Sequence, residues 1–269
     1  MKLAESIKDS IVLKLSILVL IPWAILAIIF AFTDLTISKA VIDQKSVWGN
    51  FGADYGEGPG YGLIGIAIAI LIGNKNNDLK KQKLPALIIG ILTLILMIVG
   101  IGINESELAI VSGFIGIPVL IFTILTYEKD WKEYKTIATI VFLLAILNPL
   151  LLVQTIKVIW GRVRPRDVLA GQGEFTPWYV INGYTGNHSF PSGHTAMGWM
   201  FLPLLILVRD REWKDPIKIL LWIVVLGWGI FVAASRVVVG AHFASDVLFS
   251  TGFAAIITIL LYYIYYIKK

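Results

Sequence analysis

Cysteine is absent from this chain, so no disulfide, zinc–thiolate cluster or palmitoyl anchor is available to it. The redox compartment stays open, because a cysteine-free chain can sit on either side of a membrane. Charge is scarce as well: Asp, Glu, Lys and Arg make up 15% of the 269 residues, against about 25% in a soluble domain. Histidine occurs only three times. Apolar residues fill the space. They form 57% of the chain, the mean hydropathy is +0.81, and long runs such as 84–103 and 137–153 hold the excess. This composition excludes a water-soluble enzyme, a disordered chain, a fibrous repeat and a disulfide scaffold. It leaves an all-α integral membrane protein with little chain for a separate soluble domain.

A membrane span needs about 20 mainly apolar residues. Eight stretches are candidates: 11–32, 60–73, 84–103, 108–126, 136–160, 191–208, 217–234 and 247–267. The first is too long for a cleaved signal peptide, and no small-x-small site follows it, so it reads as a retained helix. The second is short and Gly-rich, and extending it upstream meets Glu57; it is a tilted span, a re-entrant piece or a surface helix. With eight spans the connectors alternate sides. Fourteen of the 23 Lys and Arg residues fall in 1–10, 74–83, 127–135, 209–215 and 268–269, and Lys14 and Lys218 lie just inside the same ends. The positive-inside rule then places both termini in the cytoplasm. The formal charge of +5 needs no nucleic-acid partner, since most of it sets orientation. On the opposite side, connector 33–59 is Gly-rich and mildly acidic. Connector 161–190 carries Trp178 and Tyr179, read as an interfacial aromatic anchor with a substrate lid as the alternative. Gly62, Gly65, Gly113 and Gly116 read as sites of close helix packing.

The polar residues are not scattered. All three histidines lie in the last third of the chain on the predicted outer side, together with Lys157, Arg162, Arg164, Arg166 and Arg236. Cations where the positive-inside rule expects few call for an anionic partner. Lys157 and Arg164 are two helical turns apart and face one direction if the helix runs that far, but Pro165 disfavours helix at Arg164 and turns it toward the bilayer surface. Pro191 suits the first turn of the sixth span. Ser192, Gly193 and His194 then bring backbone donors and a positive dipole end, an anion site. His242 and Asp246 are four apart, so in a helix the carboxylate reaches the imidazole of the preceding turn. Fixed cations, a helix N-terminus and two histidines, one backed by a carboxylate, suit phosphoryl transfer, in which catalysis is mostly positioning and charge stabilisation.

These segments resemble the type 2 phosphatidic acid phosphatases, which share their phosphate site with vanadium-dependent haloperoxidases. The family pattern is K-x6-RP, PSGH and SR-x5-H-x3-D. Lys157, Arg164 and Pro165 match the first block, Pro191 to His194 the second, and Ser235, Arg236, His242 and Asp246 the third. The resemblance implies a six-helix catalytic core over 84–269, preceded by N-terminal transmembrane segments in 1–83 that the family core does not usually have. It implies His242 as nucleophile, forming a phosphohistidine, with Asp246 holding it and His194 as acid and then base. Lys157, Arg164, Ser192, Gly193 and Arg236 would bind the phosphate oxygens. No metal or other cofactor is implied.

Singly, these residues have plainer readings. Lys157 and Arg236 could be snorkelling or topology residues, His194 a helix-start polar group, and His242 with Asp246 a structural helix pair; the joint match favours the site. His188, six positions before His194, is a candidate for lining the entrance. Arg162 and Arg166 meet a second phosphate or anionic headgroups, with Asp167 and Glu174 pairing with them or facing water. The expected function is a metal-independent lipid phosphate phosphatase of the plasma membrane, acting at the outer face on a phosphomonoester or diphosphate. Undecaprenyl diphosphate, phosphatidylglycerophosphate and phosphatidate are the candidate classes. A lipid phosphotransferase using the same histidine is the alternative. A transporter is disfavoured because the charges gather at helix ends, and a haloperoxidase because those relatives are soluble. The bilayer and its lipid substrate are the expected partners, and nothing in the residues specifies an oligomeric state.

Overall fold

The computed structural model describes residues 2–268, with side chains from residue 11 onward. Lys269 and the side chains of Lys2 and Lys8, counted above for orientation, lie outside the described residues. In chain order the helices are α1 (Lys2–Val41), α2 (Val47–Tyr55), α3 (Gly58–Gly73), α4 (Leu79–Gly102), α5 (Ser106–Leu125) and α6 (Lys135–Ala145). A π-helical stretch, Ile146–Leu152, leads into α7 (Val153–Trp160), α8 (Pro165–Leu169) and α9 (Gly193–Gly198). The latter tightens into a 3₁₀ helix over Trp199–Val208, before α10 (Pro216–Val238) and α11 (Ala244–Tyr262). No strand occurs among the described residues.

Among the described residues, seven helical stretches are long and apolar enough to cross a membrane, and an eighth, Gly193–Val208, is apolar but shorter. The chain is an all-α, multi-pass integral membrane protein. The first two spans differ from expectation in extent. Helix α1 runs nine residues past 32, through what reads as an outer connector, because 33–41 contains no Gly or Pro to stop it. The weak second candidate gains length from α2, giving an apolar stretch of 27 residues over Val47–Gly73. Pro149 supplies no backbone N–H, and the chain widens to a π-helix around it.

The chain forms two compact units, Met1–Gly56 with Ile146–Lys269, and Glu57–Ala145. Division at residue 83 follows span order, whereas these units follow packing. In the first unit α1 lies along α11. Trp23 packs edge-on to Phe249 and Phe253, with ring centroids 5.1 and 6.0 Å apart. Gly252 makes room: a Cβ there would fall 2.6 Å from the indole. The buried residues of α1, Ala27, Asp34 and Ser38, share that face at helical spacing. Helix α2 packs against α10, where a Cβ at Gly52 would collide with Ser235.

In the second unit α3, α4 and α5 approach through small residues. A Cβ at Gly62 would lie 2.5 Å from the Phe114 carbonyl oxygen, and one at Gly116 would lie 2.4 Å from Thr93 Oγ1. Without such residues the backbones would be held apart. One end of this unit is tied by Gln82, whose amide donates to Asp130 (2.8 Å) and accepts from the Trp131 N–H (2.8 Å). The Lys83 ammonium donates to the Lys129 carbonyl at 2.6 Å over the Trp131 ring. These bonds satisfy a turn rich in backbone polar groups.

Candidate active site

The residues singled out in the sequence lie on segments that converge within the first unit. Lys157 stands in the last turn of α7. The helix stops at Gly161, which adopts φ +55° and could not carry a side chain, since a Cβ would fall 2.1 Å from the Gly183 carbonyl oxygen. The helix therefore does not reach Arg164, which is extended (ψ 149°) and caps α8, with Pro165 as its first residue. The Arg166 N–H donates to the Gly240 carbonyl at 3.0 Å, fixing this segment beside the turn that carries His242.

The second segment enters through a cis Phe190–Pro191 bond. Ser192, not Pro191, begins the helix: its Oγ accepts from the Thr195 N–H at 3.3 Å and the Thr195 hydroxyl at 2.9 Å. A serine cap satisfies an orphan donor that proline would only leave absent, so Pro191 falls one residue before the cap. Gly193 follows, and a Cβ there would lie 3.1 Å from Lys157 Nζ, which brings the first and second blocks together. Helix α11 holds this turn: the Ser192 N–H donates to the Asp246 carbonyl at 3.2 Å, and the Ser250 hydroxyl donates to the Ser192 carbonyl at 2.7 Å. His194 Nε2 is 3.1 Å from the Ala53 carbonyl oxygen in α2. A carbonyl only accepts, so Nε2 carries hydrogen.

The third block spans the turn from α10 to α11. Arg236 stands in the last turn of α10, and its carbonyl accepts from the N–H groups of Ala241 and His242 at 3.0 and 3.2 Å. His242 lies in that turn and not on a helix, and it is 2% exposed. Its Nδ1 is 2.6 Å from the Ser189 carbonyl oxygen. By the same argument Nδ1 bears the hydrogen and the neutral ring leaves Nε2 unprotonated. Burial holds the pKa far below the ordinary 6.5, at about 3; Asp246 pulls it upward, and Arg236 and Lys157 push it down again. The ring is thus neutral at physiological pH.

Asp246 reaches His242 at ion-pair distance and not through a hydrogen bond. Its Oδ2 stands 3.6 Å from Nδ1, too far for a hydrogen bond. Oδ2 instead accepts from the Ser189 hydroxyl (2.6 Å) and the Phe243 N–H (2.9 Å). Its Oδ1 receives Arg162 Nη1 at 2.6 Å. Arg162 is fully buried, and neither a headgroup nor Asp167 or Glu174 meets it. Its Nη2 pairs with Asp34 of α1 at 2.9 Å, its Nε donates to the Thr176 carbonyl at 2.9 Å, and its plane lies 4.1 Å over the Phe243 ring. Ser245 closes the cluster, its N–H donating to Asp34 Oδ1 at 2.9 Å and its hydroxyl to Oδ2, while Arg162 Nη1 donates to that hydroxyl at 2.8 Å. Arg166 makes the exposed pair with Asp167, at 3.6 Å.

Sequence reasoning missed Asp34, Ser189 and Ser245, and gave Arg162 a surface role. One signal was present for Asp34: a lone acid directly after an apolar span, in a stretch, 33–41, with no Gly or Pro to stop the helix. Trp178 also turns inward, its indole donating to the Ala27 carbonyl at 2.8 Å and packing on Phe249, while Tyr179 stays exposed.

Residues 138–269 match the family model of the PAP2 superfamily. The chain is 31% identical over 162 residues to the lipid A 4′-phosphatase of Francisella tularensis subsp. novicida (strain U112), covering 58% of this chain and 71% of that protein. No solved structure matches it.

Proposed function

The chain belongs to the PAP2 superfamily and is a membrane-embedded lipid phosphatase, a phosphoric ester hydrolase; from that premise we propose that it works through a phosphohistidine formed on His242. The observation that carries this reading is the 2.6 Å bond from His242 Nδ1 to the Ser189 carbonyl, which leaves Nε2 with a lone pair and no proton. Nε2 attacks phosphorus and the ester P–O bond breaks. His194 gives its proton to the departing oxygen, so the lipid leaves as a neutral alcohol or, from a diphosphate, as a phosphate. Water, deprotonated by His194, then cleaves the P–N bond, releasing inorganic phosphate and restoring neutral His242. Lys157, Arg164 and Arg236, with the Ser192–Gly193 turn, hold the non-bridging oxygens. Asp246, 3.6 Å from Nδ1, offsets the positive charge that the ring gains on phosphorylation.

The substrate class is a lipid whose phosphate sits at headgroup level: undecaprenyl diphosphate, phosphatidylglycerophosphate or phosphatidate, to which the relative's name adds the phosphomonoester of a lipid A-type glycolipid. The charge distribution supports a plasma-membrane location with cytoplasmic termini and an extracytoplasmic site. The test is phosphate release from a panel of these lipids by the purified protein in detergent, with EDTA present. Wild type should release phosphate and form an acid-labile phosphoenzyme, and His242→Ala should do neither. Equal release by the two would end the proposal.

A further inference from the structure

Asp34 sits in α1, outside the family-matched residues 138–269, and is fully buried. An ionised side chain inside a membrane-spanning helix is costly unless it has a partner, and such residues mark function more often than stability. Its partner is Arg162, 128 positions away, at 2.9 Å. Arg162 in turn holds Asp246 at 2.6 Å, Asp246 holds the Ser189 hydroxyl at 2.6 Å, and the Ser189 carbonyl holds His242 Nδ1 at 2.6 Å. Each link is buried. Stability alone does not call for this arrangement, because apolar residues of similar volume replace buried ion pairs at little or no cost. The same N-terminal stretch also supplies the Ala53 carbonyl to His194.

We propose that Asp34 is a positioning residue of the catalytic centre, acting through Arg162 on Asp246 and so on His242. Arg162 is one cation between two carboxylates, Asp34 and Asp246. Asp34 anchors one guanidinium nitrogen and takes part of its charge. Asp246 therefore keeps a net negative field toward the Nδ1 side of His242, where positive charge develops as Nε2 is phosphorylated. Neutralising Asp34 turns the full guanidinium charge on Asp246, and the field that stabilises the phosphorylated ring weakens. Substrate oxygens bind elsewhere, so the change falls on kcat and not on KM.

This rests on the phosphohistidine reading, and the two are tested side by side. Asp34→Asn keeps the shape and an acceptor oxygen; kcat should fall on the order of 10–100-fold, the range seen when outer-shell partners are removed, with KM within about twofold. Asp34→Leu should fall further. Ser38→Ala, on the same buried face of α1 but outside the chain of contacts, should keep wild-type kcat. Ser245→Ala removes the hydroxyl between Asp34 and Arg162 while keeping both charges, and should give a smaller loss that is readable even if Asp34→Asn does not fold. Wild-type kcat in folded Asp34→Asn, or in Ser245→Ala where the former is unfolded, overturns the proposal. So does an equal loss in Ser38→Ala, which would make the effect one of α1 packing. Activity in His242→Ala would instead sink the phosphohistidine reading itself.

Discussion

Ser189 fixes the hydrogen of His242: its carbonyl oxygen lies 2.6 Å from Nδ1, and a carbonyl can only accept. The hydroxyl of the same residue donates to Asp246 Oδ2, also at 2.6 Å. One serine therefore orients the imidazole through its backbone and the carboxylate through its side chain, and the two functions are separable. Ser189→Ala keeps the carbonyl and loses only the hydroxyl. A hydrogen bond to a charged group contributes about 1.5–3 kcal/mol, so kcat should fall about 10-fold or somewhat more, with KM little changed. Steady-state phosphate release measures both. A variant as inactive as His242→Ala would show that the hydroxyl, and not the carbonyl, governs the ring.

Burial of neutral His242 has a consequence for stability. Its folded pKa of about 3 lies below the ordinary 6.5, so between those values the unfolded chain binds a proton that the folded chain does not. Stability contributed by this group is complete above about pH 6.5 and is lost as pH falls toward 3, with a slope of at most about 1.4 kcal/mol per pH unit. Thermal unfolding in detergent at pH 7, 5.5 and 4.5 should show a falling Tm for wild type. His242→Asn, which cannot titrate, should show a shallower fall. Parallel slopes in the two proteins would contradict a buried neutral ring.

The same depression shapes the rate profile. The acid limb of kcat/KM reports protonation of the nucleophile in the free enzyme, and for His242 this lies near pH 3. Once the substrate's own titration is divided out, kcat/KM should show no acid limb belonging to His242 between pH 6 and pH 4.5. A fall below pH 6 that His194→Ala leaves in place would assign an ordinary pKa to His242 and contradict its environment.

The three catalytic blocks are legible in the sequence because each combines a charged or nucleophilic residue with its own backbone punctuation. Pro165 opens α8 beside Arg164, Ser192 caps before His194, and the turn after Arg236 delivers His242. Spacing along the chain carries that information. What joins the blocks is not legible, because Arg162 meets Asp34 across 128 residues and no local pattern encodes such a pairing. Residues 11–32 alone are long enough to span, so Asp34 falls just outside the expected helix and reads as part of a connector. The spacing of Asp246 reveals its contact with His242, at 3.6 Å, but not its hydrogen-bond partners. His242 stands in a turn, and the carboxylate is taken up by Phe243, Ser189 and Arg162.

Helix α1 reaches the site through its packing on α11, which gives a final prediction. Trp23 precedes Asp34 by eleven residues, three helical turns, so both face α11. Trp23 lies over Gly252, where a Cβ would fall 2.6 Å from the indole. Gly252→Val forces α1 outward, and overpacking of this kind costs about 1–3 kcal/mol. Because Asp34 moves with the helix, kcat should drop as well. Gly227 in α10 has open space at its Cβ position, with nothing within 4 Å, so Gly227→Ala should be neutral or stabilising through helix propensity alone. Denaturation and phosphate release measured on both variants decide the matter. A Gly252→Val protein with lowered Tm and full kcat would mean that α1 can shift without disturbing Arg162.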